Sequence, residues 1–75
     1  MVTDEILLRD INNTELESRA YEMIAEGFNI LADLPENAGT NSSIYHTKAG
    51  NYLDKLNGCN ELLIKLRRIK MGRGL

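Results

Sequence analysis

Between Ser43 and Lys70 apolar side chains recur alternately every four and every three residues. They are Tyr45, Ala49, Tyr52, Leu56, Cys59, Leu63 and Leu66, and Lys70 closes the series. A stripe with this rhythm runs straight along one side of a helix. It is the seam of a helix that packs lengthwise on another at a shallow angle. A second row, Leu53, Leu62 and Ile69, flanks the stripe. The apolar surface is therefore wider than one neighbour covers, and this helix is expected to meet at least two others.

The remainder of the chain reads as cover for that helix. Thr3 is placed to cap a short first helix over about residues 4–11, with Asp4 and Glu5 favourably set against the helix dipole. Ile6, Leu7, Leu8 and Ile11 give it an apolar face. Asn12-Asn13 weakens the helix, and Thr14-Glu15-Leu16-Glu17 has the spacing of a capping box. These signals predict a new helix over 15–34, with one bent helix over 4–34 as the alternative. Leu16, Ala20, Ile24, Phe28 and Leu31 are its expected face, widened by Tyr21, Met23, Ala25 and Leu34. Pro35 stops it. The stretch 35–42 is rich in turn formers, and Asn41, Ser42 or Ser43 is expected to cap the long helix. Met71 to Leu75 is expected to fray.

A loop this short between two helices implies an antiparallel hairpin. Centring the turn near residue 39 sets Phe28 against Ala49 and Gly50, Ile24 against Leu53, and Tyr21 against Leu56. It also brings Gly27 near Gly50. The long helix overhangs, so its end near Leu62 to Ile69 needs cover from the N-terminal segment or from another chain.

Seventy-five residues form a single domain that buries only a small share of its surface. Small domains usually add disulfides, a metal or partner chains. One cysteine excludes an internal disulfide, and one cysteine with one histidine falls short of a closed zinc site. Oligomerisation is left as the source of stability. A lone thiol fits a reducing compartment such as the cytoplasm. No apolar run approaches the roughly 20 residues that cross a bilayer, and Asp4 and Glu5 stand where a signal peptide carries positive charge.

Charge is divided between the halves. Residues 1–37 hold nine acids and two arginines, a balance of −7. Residues 38–75 hold two acids and seven lysines and arginines, a balance of +5. Halves so charged attract each other within a chain or between chains, and flanking charges of this kind set pairing and orientation of helices.

No catalytic constellation is visible. His46 has no nucleophile beside it at a helical spacing, and Ser42, Ser43 and Thr47 read as caps and loop residues. Cys59 lies on the seam and reads as a small buried hydrophobe. Gly50 and Gly58 match no phosphate-loop pattern. Each mid-helix glycine costs about 1 kcal/mol relative to alanine, so Gly27, Gly50 and Gly58 need an offset. Close helix approach is one, and room for a ligand against bare backbone is the other. Tyr45, Lys48, Tyr52 and Lys55 share one helix face at the seam's edge. As ordinary boundary residues they bury their rings and extend their ammonium groups into water. The same four side chains also suit a ligand with bases and phosphates. The cluster Lys65, Arg67, Arg68 and Lys70 suits the C-terminal end of a helix dipole, and equally RNA or an acidic partner.

The run Asp54-Lys-Leu-Asn-Gly58-Cys-Asn-Glu-Leu62 has the pattern D-x-x-x-G-x-x-x-L in a last helix that ends in basic residues. In this it resembles the small phage anti-CBASS proteins known as sponges. That resemblance spans about residues 15–68 in architecture and three motif positions by identity. It implies an all-helical hexamer that sequesters cyclic di- and trinucleotides between subunits, in the host cytoplasm. Gly58 and Asp54 carry over as packing or pocket-shaping positions. The family's N-terminal Tyr-Arg-Glu-Leu-type segment is replaced here by Asp10-Ile-Asn-Asn-Thr14, and Arg67 and Arg68 fall late, so no ligand contacts transfer with it.

The combined expectation is an all-α chain in which a short N-terminal helix precedes an antiparallel hairpin, assembled as a homo-oligomer between dimer and hexamer. It is non-enzymatic, with no metal, no cofactor and no membrane partner. A cyclic nucleotide is expected at Tyr45, Lys48, Tyr52, Lys55 and Gly58. The competing expectation is a homodimeric hairpin that binds RNA or an acidic protein.

Overall fold

The computed structural model describes residues 2–75. Two long helices lie antiparallel: α1, Asp4–Asp33, and α2, Thr40–Gly72. A single 3-10 turn, Pro35–Asn37, joins them. The molecule is a rod of 52 × 16 × 14 Å. The all-helical hairpin stands as the sequence implies, but its first arm is one helix and not two.

The expected break at 11–15 is absent, and the reason is Thr14. Its side chain is buried, and its hydroxyl donates to the Asp10 carbonyl at 2.7 Å, one turn back. A threonine bonded in that way is satisfied inside a helix and caps nothing. The cap of α1 is Thr3, whose oxygen accepts from the Ile6 N–H at 3.2 Å.

With α1 unbroken, its inner face becomes legible as a second seam. Leu7, Ile11, Thr14, Ser18, Tyr21, Ala25, Phe28 and Ala32 alternate steps of four and three, and each is buried or half-buried. They face the α2 series from Tyr45 to Lys70, which is likewise buried or half-buried throughout. Two heptad seams laid side by side form a two-stranded coil. Leu7 and Ile11 pack with Leu63, and Leu66 rests against them, so the N-terminal turns of α1 do cover the overhanging end of α2. Arg73 donates to Asp4 at 3.0 Å and Arg67 to Glu15 at 3.1 Å, tying acidic arm to basic arm.

Four further expectations change. The face assigned to 15–34 points largely the other way: Leu16, Ile24 and Leu31 are exposed. Ile24 and Leu53, expected to meet, are both exposed as well. The turn is capped differently too. Asn41, Ser42 and Ser43 lie inside α2, which begins at Thr40 after Gly39. Gly39 takes φ +85°, a conformation natural to glycine alone. The Asn37 amide closes the other side by donating to the Leu31 carbonyl at 2.8 Å. Finally, the tail is closed and not frayed. Gly74 at φ +73° lets its N–H reach the Met71 carbonyl, and Leu75 N–H reaches the Lys70 carbonyl, both at 3.1 Å. This pair of bonds is a Schellman cap.

The buried apolar residues are Leu7, Ile11, Ala25, Ala32, Ala49 and Leu63. Half are alanines, so the core has little bulk for a domain of this size. Leu63→Ala is expected to cost roughly 2–5 kcal/mol in urea unfolding. Thr14→Val is the sharper check. If Thr14 were an N-cap, its loss would cost about 1 kcal/mol. In a continuous α1, urea unfolding of the valine variant is expected to show unchanged or slightly higher stability.

Candidate functional site

α2 presents Tyr45 and Tyr52 on its seam and Lys48 and Lys55 one step outside it, because residues three and four apart share a helix face. The hairpin register then adds two rings from α1. Phe28 sits between Tyr45 and Tyr52, with ring centroids 6.1 and 5.8 Å away and planes tilted by only 23° and 22°. Tyr21 extends the row, 6.0 Å from Tyr52. The result is a ladder of four aromatic rings along one edge of the hairpin, each pair within the range where stacked rings attract.

The lysines lie across this ladder. Lys48 Nζ is 5.7 Å from the Phe28 centroid and 6.0 Å from that of Tyr45. Lys55 Nζ is 5.8 Å from Tyr21 and 5.0 Å from Tyr52. Among the described residues neither ammonium has a carboxylate partner, whereas Arg9, Arg67 and Arg73 do. An exposed cation over a ring gains about 0.5–1 kcal/mol, while a hydrogen bond to a charged group contributes about 1.5–3 kcal/mol. An anionic hydrogen-bond partner would therefore be a stronger partner for these two cations than the rings are.

The structure thus brings together four of the five residues expected at the site. Gly58 is apart from them. It lies on the outer face of α2, and a Cβ built on it meets nothing within 4 Å. The same is true of Gly27 and Gly50. Close approach of α1 and α2 therefore does not account for any of the three mid-helix glycines, and Gly27 does not rest against Gly50. Phe28 and Tyr21 are the site residues that sequence reasoning missed. The antiparallel register held their signal, since it brings both rings alongside the tyrosines of α2.

The other reactive side chains are engaged locally. His46 Nδ1 is 3.1 Å from the Asn29 amide oxygen, and its Nε2 is 3.8 Å from Asp33. Ser18 donates to the Asn60 side-chain oxygen at 3.1 Å. Cys59 directs its thiol at Glu17, a long contact of 3.9 Å. Among the described residues no three His, Cys, Asp or Glu side chains gather as for a metal ion. No described helix is long and apolar enough to cross a membrane.

Burial raises the Cys59 pKa, and the Glu17 charge and its hydrogen bond raise it further. A raised folded value means that the native chain holds the thiol proton more tightly than the unfolded chain does. That contribution is complete below the unfolded thiol's pKa and is lost as pH rises through the folded one. Alkylation of Cys59 by iodoacetamide at pH 8 is expected to be slower in the native chain than in urea, and faster in Glu17→Gln than in the parent. Equal rates in all three would show an unshifted thiol.

Compared with known proteins, the chain matches no family model, no curated protein and no solved structure.

Proposed function

We propose that the chain is a non-enzymatic homo-oligomer that captures an anionic ligand with flat rings, of the class of cyclic oligonucleotides, and holds it intact. The observation that carries this reading is the aromatic ladder crossed by Lys48 and Lys55, two cations without carboxylate partners among the described residues. Each part has a task. A Tyr ring stacks on a base, a contact of roughly 1–3 kcal/mol. Each Lys meets a phosphate as a point charge. Two turns of helix separate the lysines, roughly 10 Å at 1.5 Å per residue, and both project from the same edge of the hairpin. Enclosure between subunits lowers the local dielectric and strengthens both contacts. Gly58, on the outer face, has its task at the subunit boundary, where bare backbone leaves room for a neighbouring chain or for the ligand. The setting is the one that the resemblance of Asp54 to Leu62 implies: removal of a nucleotide second messenger during phage infection, in the host cytoplasm.

One observation favours a second reading. Lys65, Arg68 and Lys70 have no carboxylate partner among the described residues, although Arg67 beside them pairs with Glu15. A cationic helix end of this kind suits RNA or an acidic protein, held by a homodimer of hairpins.

Titration calorimetry with a panel of cyclic di- and trinucleotides separates the two. Lys48→Ala and Lys55→Ala are each expected to weaken nucleotide binding about tenfold, equivalent to roughly 1.4 kcal/mol. Affinity is expected to fall as salt shortens the screening length from roughly 10 Å at 0.1 M to about 3 Å at 1 M. Heat-released ligand is expected to run as intact nucleotide on chromatography. Absence of binding across the panel at tens of micromolar, together with a gel shift of RNA, would favour the second reading.

Gly58→Leu provides an independent check. With open space around it in the hairpin, the substitution leaves helicity intact or raised, because glycine is the poorer helix former. Particle mass or nucleotide affinity is expected to fall nonetheless. No change in either would remove Gly58 from the site.

A further inference from the structure

The outer face of α1 carries its own heptad. Leu16, Ala20, Met23, Gly27 and Ile30, with Leu34 at the C-cap, alternate steps of four and three on the side of α1 turned away from α2. All six are exposed; Leu16 is 53%, Met23 66% and Ile30 58% open to solvent. A 4-3 rhythm is the pattern of a surface covered by a helix, and α2 is already engaged on the other side.

From this face we infer that two copies of the chain dock α1 against α1, antiparallel, about a two-fold axis between Met23 and Gly27. This inference deepens the proposal that the chain acts as a homo-oligomer and rests on it. Two-fold docking requires a self-complementary surface, in which each residue finds its counterpart reversed. The six residues meet that condition. In this register Leu16 opposes the partner's Leu34, Ala20 opposes the partner's Ile30, and Met23 opposes the partner's Gly27. Large meets small in the inner layers and leucine meets leucine at the ends. Gly27 lines an apolar depression of about 410 Å³ with Ile24, Phe28, Ile30 and Leu31. Met23, an adaptable gap-filling side chain, is the residue that the register delivers to it. This gives Gly27 the role that the hairpin alone does not.

Charge agrees with the register. On one flank Arg19, which has no carboxylate partner among the described residues, falls beside the partner's Asp33, twice by symmetry. Glu26 meets its own copy near the axis, the one repulsive pair. The opposite flank brings Ile24 beside the partner's Ile24. The interface runs beside the aromatic ladder, since Phe28 belongs to both the ladder and the depression.

Disulfide trapping tests the register. In a Cys59→Ser background, Leu16→Cys and Leu34→Cys chains are prepared separately, then unfolded in urea, mixed, refolded and oxidised. Both sites are exposed, and far-UV circular dichroism confirms that each variant retains its helices. A disulfide needs Cα atoms within about 7 Å. In the antiparallel register, like sites stand roughly 27 Å apart at 1.5 Å per residue. Covalent dimer is therefore expected in the mixture and in neither variant alone. Dimer from either variant alone would indicate parallel docking and overturn the inference. No covalent dimer, with light scattering still reporting an oligomer, would overturn this interface and leave the homo-oligomer standing. A folded monomer by light scattering would overturn both and leave the face to a different partner.

Discussion

The lengthwise contact between the two helices is the interaction on which every other feature depends. It fixes the register that sets Phe28 between two tyrosines, and it brings the acidic arm against the basic one. Its chemistry is uneven. At one end Leu7, Ile11, Leu63 and Leu66 make a small aliphatic core. At the other, aromatic rings and alanines take over. Between them sit Thr14, Ser18 and Cys59, polar or polarisable groups whose bonds run to Asp10, Asn60 and Glu17. Thr14 and Ser18 each have a partner, and among the described residues no buried side-chain nitrogen or oxygen is left without one, so burial of these groups carries no uncompensated desolvation penalty. These layers specify register more than they add stability.

That unevenness shapes how the hairpin meets the outside. Three alanines among six buried apolar residues leave the hairpin lightly packed, while longer side chains such as Met23 and Ile30 point to solvent. In a soluble monomer the reverse distribution is favoured, since burial of a large aliphatic side chain contributes about 1.5–3 kcal/mol. Three glycines in helix interiors, each open on its outer side, add to the same account. These features support the proposal that the hairpin is one piece of an assembly. Its outer α1 seam and its aromatic edge are adjacent, so on that proposal assembly and ligand capture would involve one region of the surface.

Much of this was legible in the sequence, and the failures have identifiable physical causes. The α2 stripe was read in full because only its last position, Lys70, is charged. The matching stripe in α1 was missed because Thr14 and Ser18 interrupt it. Read locally, Asn12-Asn13-Thr14 followed by Glu17 looks like a helix end and a new cap. Read at the 4-3 spacing from Leu7, the same residues continue a seam whose hydroxyls bond back to the helix or across to α2. The more hydrophobic exposed residues, Leu16, Ile24 and Leu31, then took the place of the true inner face. Composition favoured the wrong face because the larger apolar residues are the ones left uncovered. At the site, the four α2 residues were found from spacing on one helix, whereas Tyr21 and Phe28 required the antiparallel pairing. Gly58 was placed beside the seam on account of Cys59, but one residue along a helix turns the chain by about 100°, enough to put it outside.

In the proposed assembly a lightly packed hairpin completes its apolar surface with further copies of itself. Sedimentation equilibrium of the unaltered chain, from nanomolar to high micromolar concentration with helicity followed by circular dichroism on the same samples, tests it most directly. The account predicts a particle mass that is a multiple of the 8.5 kDa chain at micromolar concentration, and helicity that declines together with mass on dilution, because folding is linked to association. A fully helical monomer that persists across the whole range would contradict it.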